Sequence, residues 1–364
     1  MTIYCMEQER KHNMKKKLFI GTPLLETYGI YSIVSSIISK YDVLPWHYNN
    51  FINIYYHQSY YFYFFLDGTI TSNNCPWLDI NVVDYGSLKN IFNNRFTDFV
   101  ISCIDQERYV MLYVDIFYVP GTYAYMNLHE THTICIYGYD TKRKVFHVAE
   151  NLFNNGKFGT AECSFDNLVT SFEKVCLMPK YFGESKDKIF IYKPCDYKHF
   201  YFDVLQVRSQ LEDYLLSRHV LCMEYKNIDK TPFENITDKS QHPNIYGLKT
   251  IEFFLENIDE RLVLDDGHFD YRPLHLFYEQ KMLMSMRLKY MESNNHGITT
   301  KLCQSFDELR DKSLIIRNQA LKYNATRNRN SIAQNRILID KIKQNISLGI
   351  QQEKDLYQEI LAYL

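Results

Sequence analysis

Between Tyr109 and Glu150 the chain sets three β-patterned segments almost end to end, and few architectures accept that order. Tyr109–Val119 is rich in Val, Tyr and Ile and stops at Pro120-Gly121, a turn signal. His132–Tyr139 follows, then a polar connection of Asp140-Thr141-Lys142-Arg143-Lys144, then Val145–Ala149. A connection that short joins neighbours, so the last two segments predict an antiparallel hairpin. The hairpin places His132 at the start of one strand and Glu150 just past the end of its partner. In an antiparallel pair those ends lie side by side. A carboxylate there can accept the imidazole N–H, fix its tautomer and stabilise its cation. That is the base-and-orienter half of a nucleophile–His–carboxylate triad, with Asn151 as an alternative orienter.

Elements flank this block on both sides. Ile30, Ile33, Val34, Ile37 and Ile38 recur at helical spacing, with Pro45 just beyond. Tyr60–Leu66 reads as a buried strand and Tyr85–Phe96 as a helix. Phe158–Cys163 and Lys188–Tyr192 read as strands, with a helical stretch near Phe165–Glu173. After about Pro194 the pattern turns helical: Phe202–Arg218, Tyr246–Ile258, Pro273–Met291 and Phe306–Leu364. The last opens on Ser305-Phe306-Asp307-Glu308, which has capping-box spacing. Its stripe of Ile332, Ile339, Ile342, Ile346, Ile350, Leu356, Ile360 and Leu364 suits a bundle core better than a dimer seam. Gly349 is a point where it could bend. The expected organisation is a loose tail over 1–19, an α+β domain over 20–195 and a helical domain over 196–364.

Composition excludes several classes. With 41 basic and 43 acidic side chains, the net charge of −2 lacks the basic excess that displaces counterions from phosphate, so no nucleic-acid partner is expected. The cluster Arg10, Lys11, Lys15, Lys16, Lys17 reads as a solvated terminus. The 31 Tyr and 24 Phe, with abundant Asn, Ile and Lys, are the output of an AT-rich genome rather than a binding surface. Nine cysteines, odd in number and without a CxxC pair, argue against disulfides and zinc, and fit a reducing cytoplasm. No leader peptide is read, because Pro23, Glu26 and Thr27 break the first apolar run. No 18-residue apolar run exists, so no membrane span is expected. His129 and His132 are three apart on an extended segment and point to opposite sides, which does not build a metal site. Asp265-Asp266-Gly267 lacks the remaining ligands of a calcium loop. No Gly-rich phosphate loop occurs. Neither cofactor nor metal is expected.

The strings Tyr113-Val114-Asp115-Ile116-Phe117-Tyr118-Val119-Pro120, His132-Thr133-Ile134-Cys135-Ile136-Tyr137-Gly138-Tyr139-Asp140 and Val145-Phe146-His147-Val148-Ala149-Glu150 resemble the N-terminal domain of butirosin biosynthesis protein H. More distantly, they are similar to the bacteriocin-processing papain-like peptidases. The shared features are a strand beginning at the catalytic His, a Gly-Tyr-Asp turn and a strand ending at an acid. The resemblance covers about residues 20–195, and Tyr246–Ile251 looks like the helical part downstream. It implies an α+β, papain-like (cysteine-peptidase-like) domain with an antiparallel sheet, followed by an α-helical domain. Members are cysteine acyltransferases or peptidases; the butirosin member moves an acyl chain from a carrier protein to an amine. Related domains sit in bacterial gene clusters for nonribosomal peptides and other secondary metabolites. The implied partner is an acyl or peptidyl carrier protein, or an acylated intermediate.

Two positions depart from the pattern. Glu150 stands where an Asp is usual. Matching on Val34, Ile37 and Ile38 puts Tyr28-Gly29 where His-Cys belongs, at a helix N-terminus that would stabilise a thiolate. Glycine carries no nucleophile, and a phenol is a poor substitute for a thiolate. No Cys lies between positions 5 and 75, and no Gln lies between positions 8 and 58 to build an oxyanion hole. The reading is therefore a divergent, noncatalytic relative. Its rivals are an active acyltransferase or hydrolase using His132 and Glu150 with Ser32, Tyr28 or Cys5 as nucleophile, and a structural interaction protein that associates through its C-terminal helix.

Overall fold

The computed structural model describes residues 14–58, 61–66, 75–91, 95–153, 156–177, 186–196, 200–218, 244–264 and 267–364. They fall into two compact units, Met1–Val43 with Ile70–His199, and Leu44–Thr69 with Phe200–Leu364. The first unit opens with β1 (Lys15–Lys17) and α1 (Gly29–Ile38). The chain then contributes α2 (Leu44–Asn49), β2 (Ile54–His57) and β3 (Phe62–Phe65) to the second unit. It returns for β4 (Leu78–Asp84), α3 (Tyr85–Ile91), α4 (Phe96–Asp105), β5 (Tyr109–Asp115), a 3-10 turn at Ile116–Tyr118, β6 (Thr131–Asp140), β7 (Val145–Glu150), β8 (Gly159–Ser164), α5 (Phe165–Cys176) and β9 (Lys188–Pro194). The second unit resumes with α6 (Val204–Leu215), β10 (Ile245–Tyr246), α7 (Lys249–Glu256), α8 (Ile258–Leu264), α9 (Arg272–Ser293), α10 (Thr300–Thr326) and α11 (Ile332–Tyr363).

The first unit is built on a seven-stranded sheet in the order β4-β9-β5-β6-β7-β8, with β1 added beside β6. Every pairing is antiparallel. β5 is buried along its whole length, which is why it reads as an unbroken apolar run rather than an alternating one. α5 and α4 pack on it, and α1 packs against β6 and β7. The hairpin pairs Cys135 with Ala149 and Ile136 with Val148, then shifts register before Gly138. Such a bulge bends a strand locally. Gly138 is required for space: a Cβ there would lie 2.6 Å from the Lys16 carbonyl oxygen of β1.

β1 corrects one expectation. Lys15–Lys17 is not a solvated tail but a strand paired with Gly138–Asp140. Ladder bonds are made by the backbone, so lysine side chains can point away while the strand pairs. Lys16 also donates to the Asp105 carbonyl at 3.0 Å. Arg10 and Lys11 lie outside the described residues. The helix expected over Tyr85–Phe96 is two helices, α3 and α4.

The second unit holds a three-stranded antiparallel sheet, β10-β2-β3, and the helices. The sheet explains the place of Leu44–Thr69: Tyr55 and Tyr56 pair with Tyr246 and Ile245. The fully buried Arg287 of α9 closes the end of α2, donating to the carbonyls of Tyr48 (2.5 Å) and Asn50 (2.8 Å). The last carbonyls of a helix have no partner within the helix itself. Tyr246 lies in β10, so the helix expected from it starts later, as α7, and α8 follows separately. The helix expected over Phe306–Leu364 is a pair, α10 and α11, packed on each other. Ser305 sits inside α10, whose cap is Thr299; the working capping box is Ser331 with Gln334, at the start of α11. Ile339, Ile342, Ile346, Ile350, Leu356 and Ile360 are buried, while Ile332 is 91% exposed. α11 runs unbroken through Gly349. Among the described residues, no helix is long and apolar enough to cross a membrane.

Candidate active site

The candidate site forms where α1 meets the open end of the β6–β7 hairpin. Tyr28 is the residue before α1, with extended backbone and no side-chain cap, and its ring packs edge-on against Tyr31. Gly29 is the first helical residue and is buried. Its φ is not in the left-handed region, so glycine is needed here for room rather than for backbone freedom. The room is occupied by Glu150. A Cβ on Gly29 would lie 2.1 Å from Glu150 Oε1 and 2.6 Å from Oε2. The carboxylate of β7 thus sits at the helix N-terminus, where the backbone dipole favours negative charge. It fills the volume that a side chain at position 29 would take.

Glu150 is completely buried, and its oxygens are held from two sides. Thr133 Oγ1 donates to Oε2 at 3.1 Å, and the Asn151 backbone N–H donates to Oε1 at 2.9 Å. Burial pushes its carboxyl above the ordinary carboxylate range; His132, the Asn151 N–H and the Thr133 hydroxyl pull it back only in part. His132 Nδ1 lies 3.9 Å from Glu150 Oε1 and 3.2 Å from its neighbour's carbonyl, Thr133 O. A carbonyl only accepts, so Nδ1 carries the proton and a neutral ring keeps its lone pair on Nε2. The ring is 29% exposed. Asn151, the alternative orienter, turns elsewhere: its Nδ2 donates to the Glu26 carbonyl at 2.6 Å.

The expected groups are therefore brought together: His132 and Glu150 are neighbours, and Tyr28-Gly29 stands against Glu150, whose carboxylate fills the space beside Gly29. Ser32 is fully buried, and its hydroxyl donates to the Gly29 carbonyl at 3.1 Å. No described thiol is activated. Burial pushes Cys75, Cys163 and Cys176 to about 12 and Cys103 and Cys303 to about 11. Cys135, in β6 of the hairpin, is pushed up by burial and then by Glu150. Cys5 lies outside the described residues, as do Asp265 and Asp266.

Residue types alone did not reveal a second His–acid pair. His129 Nδ1 lies 2.7 Å from Oδ2 of the buried Asp115, and its ring stacks on Phe117 at 4.1 Å. Asp115 Oδ1 also accepts from the Phe117 N–H. His129 is thus committed to Asp115, and no group of three metal-ligating side chains occurs among the described residues. The only hint in the sequence was an aspartate inside an apolar run.

Residues 74–151 match the family model described as Butirosin biosynthesis protein H, N-terminal. Residues 74–151 are butirosin biosynthesis protein H N-terminal-like. The matched segment carries His132 and Glu150 at its far end and leaves Tyr28-Gly29 outside it. No curated protein matches the chain.

The buried acid has a measurable consequence. Above about pH 4.3 the unfolded chain has released a proton that the folded Glu150 still holds, so rising pH lowers stability until the folded carboxyl ionises too. Urea denaturation from about pH 4.5 to 7.5 is expected to show Glu150→Gln gaining on the wild type as pH rises. Parallel profiles would mean the acid is not held protonated by the fold.

Proposed function

We propose that this chain is a noncatalytic relative of the butirosin-type acyltransferases, with a papain-like first domain whose active-site cleft is kept for binding. One observation carries the reading: the Glu150 carboxylate occupies the space where a side chain on Gly29 would stand. The raised thiols and the committed Ser32 hydroxyl support it. In this reading the cleft receives an acyl or peptidyl carrier protein, or an acylated intermediate, in nonribosomal peptide or other secondary-metabolite biosynthesis. The described cysteines are unpaired, which suits a reducing cytoplasm. The alternative of a structural interaction protein that associates through α11 draws less support, since most of that helix's apolar stripe is buried.

A second reading rests on the tautomer of His132. With Nδ1–H held, Nε2 is free to take a proton from an acceptor amine, so acyl transfer could run directly without an enzyme-bound acyl group. An acyl-loaded carrier protein with an amine acceptor separates the two. The expected result is binding without turnover, the same in wild type and His132→Ala. Turnover that His132→Ala abolishes would replace the first reading with the second. Iodoacetamide at pH 6–7 is expected to label no thiol unusually fast; a hyper-reactive cysteine would overturn the noncatalytic reading.

A further inference from the structure

The tightest imidazole–carboxylate pair among the described residues is Asp115–His129. His129 Nδ1 lies 2.7 Å from Asp115 Oδ2, while the pairs at His132, His147 and His275 stand at 3.9, 3.6 and 3.5 Å. Asp115 ends β5, opposite Thr131 of β6, and is fully buried. Ser171 Oγ of α5 donates to its carbonyl at 2.6 Å, and its Oδ1 accepts from the Phe117 N–H at 3.1 Å. A buried carboxylate needs partners of this kind, and they leave Oδ2 to His129. The imidazole lies flat on Phe117, with centroids 4.1 Å apart and planes 15° apart, so its position and its plane are both fixed. A carboxylate only accepts, so Nδ1 carries the proton and the neutral ring keeps its lone pair on Nε2. The side chain is 56% exposed, and among the described residues no group hydrogen-bonds to Nε2.

The surroundings of this base are aromatic and apolar. Tyr118 stands beside the imidazole, with centroids 6.1 Å apart. The preceding turn, Gly121–Leu128, carries no charged residue and exposes Tyr123, Tyr125, Met126 and Leu128. It is tied to the ring under His129, because the Met126 N–H donates to the Phe117 carbonyl at 2.9 Å. We propose that His129 is the general base of a hydrolytic site for neutral esters carrying an apolar or aromatic group, with Asp115 as its positioning residue. Nε2 takes a proton from water as the water oxygen bonds to the ester carbonyl carbon. The imidazolium, stabilised by the Asp115 carboxylate, returns that proton to the leaving oxygen as its bond to carbon breaks. Ester and water become acid and alcohol. The exposed apolar side chains suit a neutral ester, and Glu130, next in the chain, disfavours an anionic one. The site uses neither His132 nor Glu150, so it leaves the reading of the cleft unchanged.

Release of p-nitrophenol from p-nitrophenyl butyrate by the full chain tests it. Wild type is expected to hydrolyse the ester saturably, and His129→Ala to lower kcat/KM about 100-fold, within the range of a positioned base. Asp115→Asn should lower kcat/KM at least ~10-fold by reversing the tautomer, since the Asn carbonyl keeps the Phe117 N–H and its amide donates to Nδ1. Nitrogen–proton NMR correlation of the imidazole reads this directly: Nδ1–H in wild type, Nε2–H in Asp115→Asn. The wild-type tautomer and the exposed His129→Ala change decide the matter even where Asp115→Asn fails to fold. No hydrolysis above the buffer rate, His129→Ala as active as wild type, or an Nε2–H tautomer in wild type would each overturn the proposal. A folded Asp115→Asn variant with undiminished activity would overturn it as well.

Discussion

Glu353→Leu is expected to destabilise the fold by about 3–5 kcal/mol, the cost of stranding a buried charge. Lys281 Nζ lies 2.5 Å from Glu353 Oε1, and both side chains are 2% exposed. Tyr214 donates to the same carboxylate at 2.7 Å, and the Gln280 carbonyl accepts from Lys281 at 2.6 Å. Gln280 in turn donates to the Tyr357 hydroxyl (3.1 Å) and to the Ile52 carbonyl (3.0 Å). The network therefore ties α6, α9 and α11 to the segment before β2. Without the carboxylate, the ammonium keeps only neutral acceptors in a dry core. Burial already pushes the Lys281 amine below its ordinary range, so in the variant the amine should give up its proton instead. The unfolded chain then binds the extra proton, and the variant should regain stability as pH rises. Lys281→Met with Glu353→Leu should recover most of the loss, because an apolar pair of similar volume needs no compensation. A single variant costing under ~1 kcal/mol in urea denaturation, or a double variant no better than the single, would remove the pair from the core's energetics.

How much of this was readable in advance follows from the range of each interaction. The hairpin was legible because strand pattern and a short polar connection are local, and so was the neighbourhood of His132 and Glu150, which depends only on strand ends. β1 was not legible, since three lysines give no apolar alternation to read. The split between α10 and α11 was written in the polar run Arg327-Asn328-Arg329-Asn330 and in Ser331-x-x-Gln334, but the apolar stripe on either side masked it. Arg287 and Lys281 look like ordinary charged positions on a helix. Only the carbonyls of α2 and the carboxylate of α11 make them interior residues. At the site, each substitution was visible singly. That Glu150 fills the space beside Gly29 depends on how α1 packs on β6 and β7, which no local pattern carries.

That coupling makes the largest functional prediction. Gly29→Cys alone should fold poorly, because its Cβ falls within 2.1 Å of Glu150 Oε1 and the acid is held by Thr133 and Asn151. Overpacking of this kind costs about 1–3 kcal/mol. Displacing a buried carboxylate from its donors adds to that. Glu150→Asp withdraws the carboxylate by one methylene and opens the helix N-terminus. On its own it should leave a small void and a modest loss. Combined, the two changes should be less destabilising than their sum by at least ~1 kcal/mol, the signature of residues in contact. Only the double variant places a thiol at the dipole end with His132 beside it, so only it should show rapid iodoacetamide labelling at pH 6–7 and, with acyl thioester, a covalent acyl-enzyme by mass spectrometry. Additive stabilities in the cycle would mean that Glu150 does not occupy the position-29 volume. Coupled stabilities with an inert thiol would keep the geometry and show that the cleft lacks something further, for which a Gln placed as an oxyanion-hole donor is the first residue to add.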